Sequence, residues 1–504
     1  MFKKLALILV AVSILVPGYS QRTLKIKPGS KNPYVATVMD FGARGDGITD
    51  DTKAVQSAVD ACAVKGIKLI FPAGTFMTGT IILQSNTNIE LTSNAVWKGI
   101  GTLDAYIRQS PKLADGSQAG RTRGALIYAY DAENISISGQ GMIYGNGESE
   151  GFDHITNSPN NPFGLWMIRC RDVRIDGIQM QNSAFWMQNY VECEHLRING
   201  IRVFNHANLN NDGLDITDCH DVIISNCEID SSDDALCPKS SSEKGVSDVV
   251  INNCILASHA HGFKLGTASR GGFRRITASN LVIRPSKAGK VIHPANVKGG
   301  ESGIELLSSD GGVLEDITIQ NVVMDGLETP ICIKLGDRWA NQKGDAALAV
   351  SGKPGVIRNI LIRNVIARRS GPIPTSITGY PGHNVENITL SDMMIEVEGG
   401  LPEQDMTVPE NSGGYPYNRI FGLKLPAYAF FVRHAKNIKF INVAVSTVKP
   451  DDRRAFIFED ATGVLDNVEI KNSGGKSRAP VLTDSAEAIS LTGSSRLRLQ
   501  VIQN

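Results

Sequence analysis

A short tetrad, with a polar first residue and apolar second and fourth residues, returns from one end of this chain to the other. It reads Asn88-Ile89-Glu90-Leu91, Asn134-Ile135-Ser136-Ile137, Asp172-Val173-Arg174-Ile175, His195-Leu196-Arg197-Ile198, Asp221-Val222-Ile223-Ile224 and Asp248-Val249-Val250-Ile251. It continues through Ile276, Ile317, Ile360, Ile388, Ile438 and Val468. The central copies follow one another at about 23 to 27 residues, and the outer ones are spaced more widely. A period of that length marks a solenoid, and wider outer intervals are expected where loops are inserted on one side of a coil.

A second regularity selects the kind of solenoid. Four residues after the apolar anchor stand Asn226, Asn253, Asn280, Asn321, Asn364, Asn442 and Asn472, while Asp392, Gly139, Gly177 and Gly200 hold the same place in other coils. These residue types tolerate a left-handed backbone, so the position reads as a turn repeated in every coil. Stacked asparagine amides can also bond one another along the axis. No leucine-rich helical spacing is present, and the expected fold is all-β, a parallel β-helix. Open sheet ends invite association unless covered. Asp50-Asp51-Thr52 reads as the start of a capping helix, with Ala54, Val55, Ala58, Val59 and Cys62 on its apolar face.

The organisation follows. Lys3-Lys4, the apolar run Leu5 to Val16 and Pro17 to Ser20 have the order of a secretory signal. Residues 1–20 are therefore expected to be an export signal, and residues 21–504 a single β-helix catalytic domain with its N-terminal cap at about 35–65, periplasmic or secreted. No later stretch is apolar enough to span a bilayer, so no membrane association is expected once the signal is gone. The 51 basic residues balance the 51 acidic ones, which gives no global field for nucleic acid. Cys227 and Cys254 hold equivalent places in neighbouring coils, and stacked free thiols are preferred over a bridge. No Cys or His spacing suggests a structural metal. Asn411 to Tyr417 reads as a loop over a cleft, and His154, His220, His293 and His383 read as surface or packing residues. Asp451 to Asn504 is less regular and reads as final coils and a tail.

Chemistry concentrates between Asn210 and Gly266. Asp212 and Asp233 are about one coil apart, which sets them on adjacent strands of one face. His261 holds the place relative to Val249 that Asp234 holds relative to Val222. Three consecutive coils thus bring carboxylates and an imidazole into one column. Glycoside hydrolysis needs one carboxyl to protonate the leaving oxygen and another to activate water, and clustered carboxylates raise one another's pKa. A calcium-dependent lyase and a non-catalytic carbohydrate-binding solenoid are the alternatives.

Asn211-Asp212-Gly213-Leu214-Asp215, Asp233-Asp234, His261-Gly262 and the opening Phe41 to Cys62 together resemble the polygalacturonase family, glycoside hydrolase family 28, nearest its bacterial exo-acting and rhamnogalacturonan-type members. The resemblance covers most of residues 35 to 475. It implies a right-handed, pectin lyase-like parallel β-helix, a pectic oligo- or polysaccharide as substrate, and inverting hydrolysis without metal or other cofactor. It also implies Asp233 as general acid, Asp212 and Asp234 as the groups that hold the water, and His261 in support of the acid. The family's Arg-Ile-Lys segment falls near Gly303-Ile304-Glu305-Leu306-Leu307, where neither basic residue is present. Carboxylate recognition would then pass to Lys239, Lys264, Arg270, Lys334 or Arg338, and Asp215 is a further candidate substrate-binding residue. Whether the long loop Asp104 to Arg123 closes the cleft decides exo or endo action.

Overall fold

The computed structural model describes residues 34–154, 159–288, 300–337, 354–404, 407–410, 418–422, 425–474, 479–484, 488–493 and 497–501. The proposed export signal, the loop 411–417, His293 and Arg338 lie outside them. All the described strands join one stack of 34, in which each strand pairs with its equivalent one coil away. Leu196 lies beside Val222, Val222 beside Val249, Val249 beside Ile276, and Ile276 beside Ile317, always in parallel register. The same file continues through Ile360, Ile388 and Ile438. The tetrad is therefore the signature of a parallel β-helix. In the central coils its second and fourth positions point inward and are fully buried, as Val222, Ile224, Val249 and Ile251 are, and each such side chain contributes about 1.5–3 kcal/mol of transfer free energy.

The asparagine turns also form as the sequence implies. Asn226, Asn253, Asn280, Asn321 and Asn364 all have φ between 52° and 58°. Their amides donate up the axis, Asn253 to Asn226, Asn280 to Asn253, Asn321 to Asn280 and Asn364 to Asn321, at 3.3, 3.0, 2.9 and 2.7 Å. Asn472 does not join this ladder. Val468 pairs with Val443 instead of Ile438, so it is Asn467 that donates to Asn442 at 2.8 Å. The first coil slips in a similar way, because Ile89 pairs with Ile137 and not with Ile135. The two-residue slip of the first coil keeps the same side chains facing inward, so the apolar core does not resist it; at Val468 the shift is to Val443, itself a buried position.

The capping helix spans Thr52–Lys65 and presses Val55, Ala58, Val59 and Cys62 onto the core, with Ala54 packed beside them. The Asp50 carboxylate accepts the Thr52 N–H at 2.9 Å. Asp51 is the N-cap residue, its carbonyl accepting the Val55 N–H at 2.9 Å, while its carboxylate accepts the Arg44 and Gly45 N–H groups at 2.7 and 3.0 Å and so pins the preceding loop. At the other end the strands Arg454–Lys471, Val481–Thr483, Ile489–Thr492 and Leu499–Val501 extend the stack almost to the C-terminus. All eight cysteines are buried and free, Cys227 and Cys254 included.

Candidate active site

The site lies on five strands of one face: Gln188–Val191, Leu214–Thr217, Leu236–Lys239, His261–Leu265 and Ser302–Ser308. Leu214 pairs with Leu236, Leu236 with Phe263, and His261 with Ser302. Backbone bonds repeat one pattern just ahead of these strands. The Met187, Gly213 and Ala235 N–H groups donate to the carbonyls of Asp212, Asp234 and His261 at 3.0, 2.9 and 2.9 Å. Trp186, Asp212, Asp234 and His261 therefore form one file. The column expected from spacing is present, but with a correction: Asp234, not Asp233, stands beside Asp212. Asp233 lies one residue earlier, its carboxylate accepting the Asp234 N–H at 3.0 Å.

Charge is packed tightly here. Lys239 Nζ lies 2.5 Å from Asp215, 3.0 Å from Asp212 and 3.6 Å from Asp234. Lys264 Nζ lies 3.2 Å from Asp234 and 4.0 Å from Glu305. The His261 ring is held between acids, with Nδ1 2.8 Å from Glu305 and Nε2 3.7 Å from Glu301 and 4.0 Å from Asp234. Ser302 Oγ lies 2.7 Å from Nδ1.

These neighbours divide the carboxylates by protonation. Burial raises the Asp212 pKa well above the ordinary value, and Asp215 adds to it against the pull of Lys239. Burial also lifts Asp215, to about 7, and Asp233, where the charge of Asp234 adds to the effect. Asp234 goes the other way. Burial alone would raise it, but Lys264, Lys239 and His261 hold it far below the usual carboxylate range. His261 is raised, since Glu305 outweighs the burial that disfavours its cation. Glu301 is pushed up to about 7 by burial, against the opposing pull of His261. Neighbouring acids with pKa values driven apart are the physical basis of an acid and a base working together near neutral pH.

A cleft of about 370 Å³ opens onto this cluster, lined by Asp212, Asp233, Asp234, Lys239, His261, Lys264 and Glu301. Phe163, Trp166, Phe185 and Trp186 line its N-terminal side, with Phe185 and Trp186 stacked at 5.3 Å. The loop Asp104 to Arg123 supplies a wall through Leu113, Ala119, Gly120, Arg121 and Arg123. That loop is tied down by paired backbone bonds between Gln109 and Arg123, and by the Ala114 N–H on Glu192 at 2.7 Å.

Not every expected residue arrives. Asp215 is sealed behind Lys239 and reaches the cleft only through it. Arg270 pairs with the exposed Glu243 at 2.8 Å and lies outside the lining. Lys334 is buried, its ammonium 4.8 Å from the ring of Phe421, outside the lining, and burial pushes it down to about 8. Conversely, the repeat pattern does not single out Glu301, Arg121, Arg123 or the aromatic floor, which the structure brings to the cleft. Glu305 was readable: it is the next-coil neighbour of Lys264, so adding one coil to Lys264 finds it.

Comparison with known proteins gives the following. The profile of Glycosyl hydrolases family 28 matches residues 63–412. A probable polygalacturonase of Vitis vinifera is 25% identical over 435 residues, covering 81% of this chain and 85% of its own. Among solved structures, a hyperthermoactive exopolygalacturonase from Thermotoga maritima superposes with a TM-score of 0.61 at 22% identity, covering 83% of this chain and 93% of its own. A family 28 exopolygalacturonase from Yersinia enterocolitica gives 0.66 at 18% identity, covering 89% and 80%.

Proposed function

The chain belongs to glycosyl hydrolases family 28 and is a glycosidase; from that membership we propose that it cleaves α-galacturonosidic linkages of pectin, with inversion at the anomeric carbon. Asp233 protonates the leaving oxygen, Asp234 takes the proton of the attacking water, and Asp212 orients that water. The His261 cation draws the Asp233 pKa down against burial and the charge of Asp234, which makes that carboxyl a stronger acid toward the leaving oxygen. The observation that carries this reading is the opposition within one cleft, where Lys264 and Lys239 hold Asp234 far below the usual carboxylate range while burial and the charge of Asp234 raise its neighbour Asp233. Inverting hydrolysis needs those two states at once.

The loop wall over the aromatic end favours removal of residues from a chain end over internal cleavage, and several relatives carry the name exopolygalacturonase. Residues 1–20, read as an export signal, suit an enzyme whose polymeric substrate stays outside the cytoplasm, and among the described residues no helix is long and apolar enough to cross a membrane. Calcium-dependent elimination is disfavoured at this cluster, because the Lys239 ammonium already sits within 3.6 Å of three carboxylates that a calcium ion would need.

The test is to incubate the protein with homogalacturonan and rhamnogalacturonan, with and without chelator, and resolve the products. Chelator-insensitive release of saturated monomers or dimers is expected. Unsaturated products that vanish with chelator would overturn the reading.

A further inference from the structure

The cleft lining holds five basic side chains: Arg121, Arg123, Lys239, His261 and Lys264. Four are already engaged. Lys239 is shared by three aspartates, Lys264 lies against Asp234 and Glu305, and His261 is held between Glu305 and Glu301. The Arg123 guanidinium lies 3.6 Å over the Phe185 ring and donates to the Asn161 carbonyl at 2.6 Å. Arg121 differs. It is an exposed side chain on the wall loop, facing the same cleft, and has no hydrogen bond or ion pair among the described residues.

The floor beneath the wall has a related shortage. The indole N–H groups of Trp166 and Trp186 are buried and have no acceptor among the described residues, although buried donors are nearly always paired. A sugar ring over this floor would bring hydroxyl oxygens, and a uronic acid would also bring a carboxylate. Lys239 and Lys264 have no charge to spare for that carboxylate. Using either would remove the cation that keeps Asp234 ionised.

We infer that Arg121 is a specificity-determining residue which binds the carboxylate of a galacturonate unit seated on the N-terminal, aromatic side of Asp212. This rests on the pectin reading above and identifies the cation that distinguishes a uronic acid from its neutral sugar. A planar guanidinium meets a carboxylate with two parallel hydrogen bonds, which a lysine cannot reproduce.

The experiment compares wild type, Arg121→Gln, Arg121→Lys and a control, Arg270→Gln, on an oligogalacturonide and on the same oligomer fully methyl-esterified. Charge-assisted pairing predicts that Arg121→Gln raises KM on the acid roughly 10- to 100-fold, with the loss carried by KM more than kcat. Arg121→Lys should recover part of it, and the control none of the loss. On the ester, Arg121→Gln should add no further loss. Equal loss on both substrates, or no change on the acid, overturns the assignment while leaving the hydrolase reading intact. A wild-type enzyme that hydrolyses neutral glycosides and no galacturonide overturns both. Because Arg121 is exposed and unpaired, an unchanged melting temperature should accompany the kinetic effect.

Discussion

Glu305 Oε2 lies 2.8 Å from His261 Nδ1, so an acid stands within the segment where the resemblance to polygalacturonases leads one to expect Arg-Ile-Lys. The local charge is inverted there, and its first consequence is for His261, whose cation Glu305 stabilises against burial.

Replacing Glu305 with Gln removes that stabilisation and lets burial lower the His261 pKa. A group raised in the folded state carries its charge, and the stability linked to it, up to the folded pKa and loses both as pH rises through it. The basic limb of kcat/KM for Glu305→Gln should therefore move to lower pH than in wild type. Superimposable pH profiles would show that His261 charge plays no part in turnover.

Asp233→Asn, Asp234→Asn and Asp212→Asn should each lower kcat by about 10²- to 10⁴-fold, the range for loss of a general acid or base. Melting temperatures should change little for Asp233→Asn and Asp212→Asn, whereas Asp234→Asn, which removes the ionised partner of Lys264 and Lys239, should also lower stability. Steady-state kinetics with parallel thermal melts checks this, and a near-wild-type rate in any of the three removes its proposed role.

Lys239→Met leaves Asp212, Asp215 and Asp234 without their shared cation. Removing one partner of a buried ionic cluster costs about 3–5 kcal/mol. Asp234, whose pKa is depressed in the fold, contributes stability above the ordinary aspartate pKa and loses it as pH falls. The stability difference between wild type and Lys239→Met should thus be larger at pH 7 than at pH 2, below the ordinary aspartate pKa, as measured by urea unfolding. A deficit that does not depend on pH would mean that Lys239 matters for packing alone.

On the outer edge, Asn280→Ala breaks two rungs of the amide ladder and forces alanine into φ 56°. The expected loss is about 2 kcal/mol from the backbone and hydrogen-bond terms together. Asn280→Gly should cost about half as much, because glycine accepts that φ freely. Denaturant titration distinguishes them, and equal losses would assign the whole effect to the amide.

The parts of the fold that the sequence announces are those repeated in every coil, because a residue such as Val249 or Asn253 meets its own equivalent on either side. Counting fails where the frame slips. Asn472 looks like a ladder residue and Asn467 is one, since pairing is decided by Val468 against Val443 and not by the motif. It fails also where coil length changes: Phe273 pairs with Leu314 across an insertion, which hides Glu301 from anyone stepping in units of a typical coil. Lys239, Lys264 and Arg270 are equally basic on paper. Only the strand register, which aims the first two inward and leaves the third beside Glu243, separates them.

The wall loop enters from the coil of Gly99 and leaves into the strand Ala125–Tyr130, well before the first aspartate of the acid cluster. Reaction and selection thus belong to different lengths of polypeptide. Substitutions between Asp104 and Arg123 therefore alter the wall without touching the strands that follow Asp212 and Asp234, Leu214–Thr217 and Leu236–Lys239.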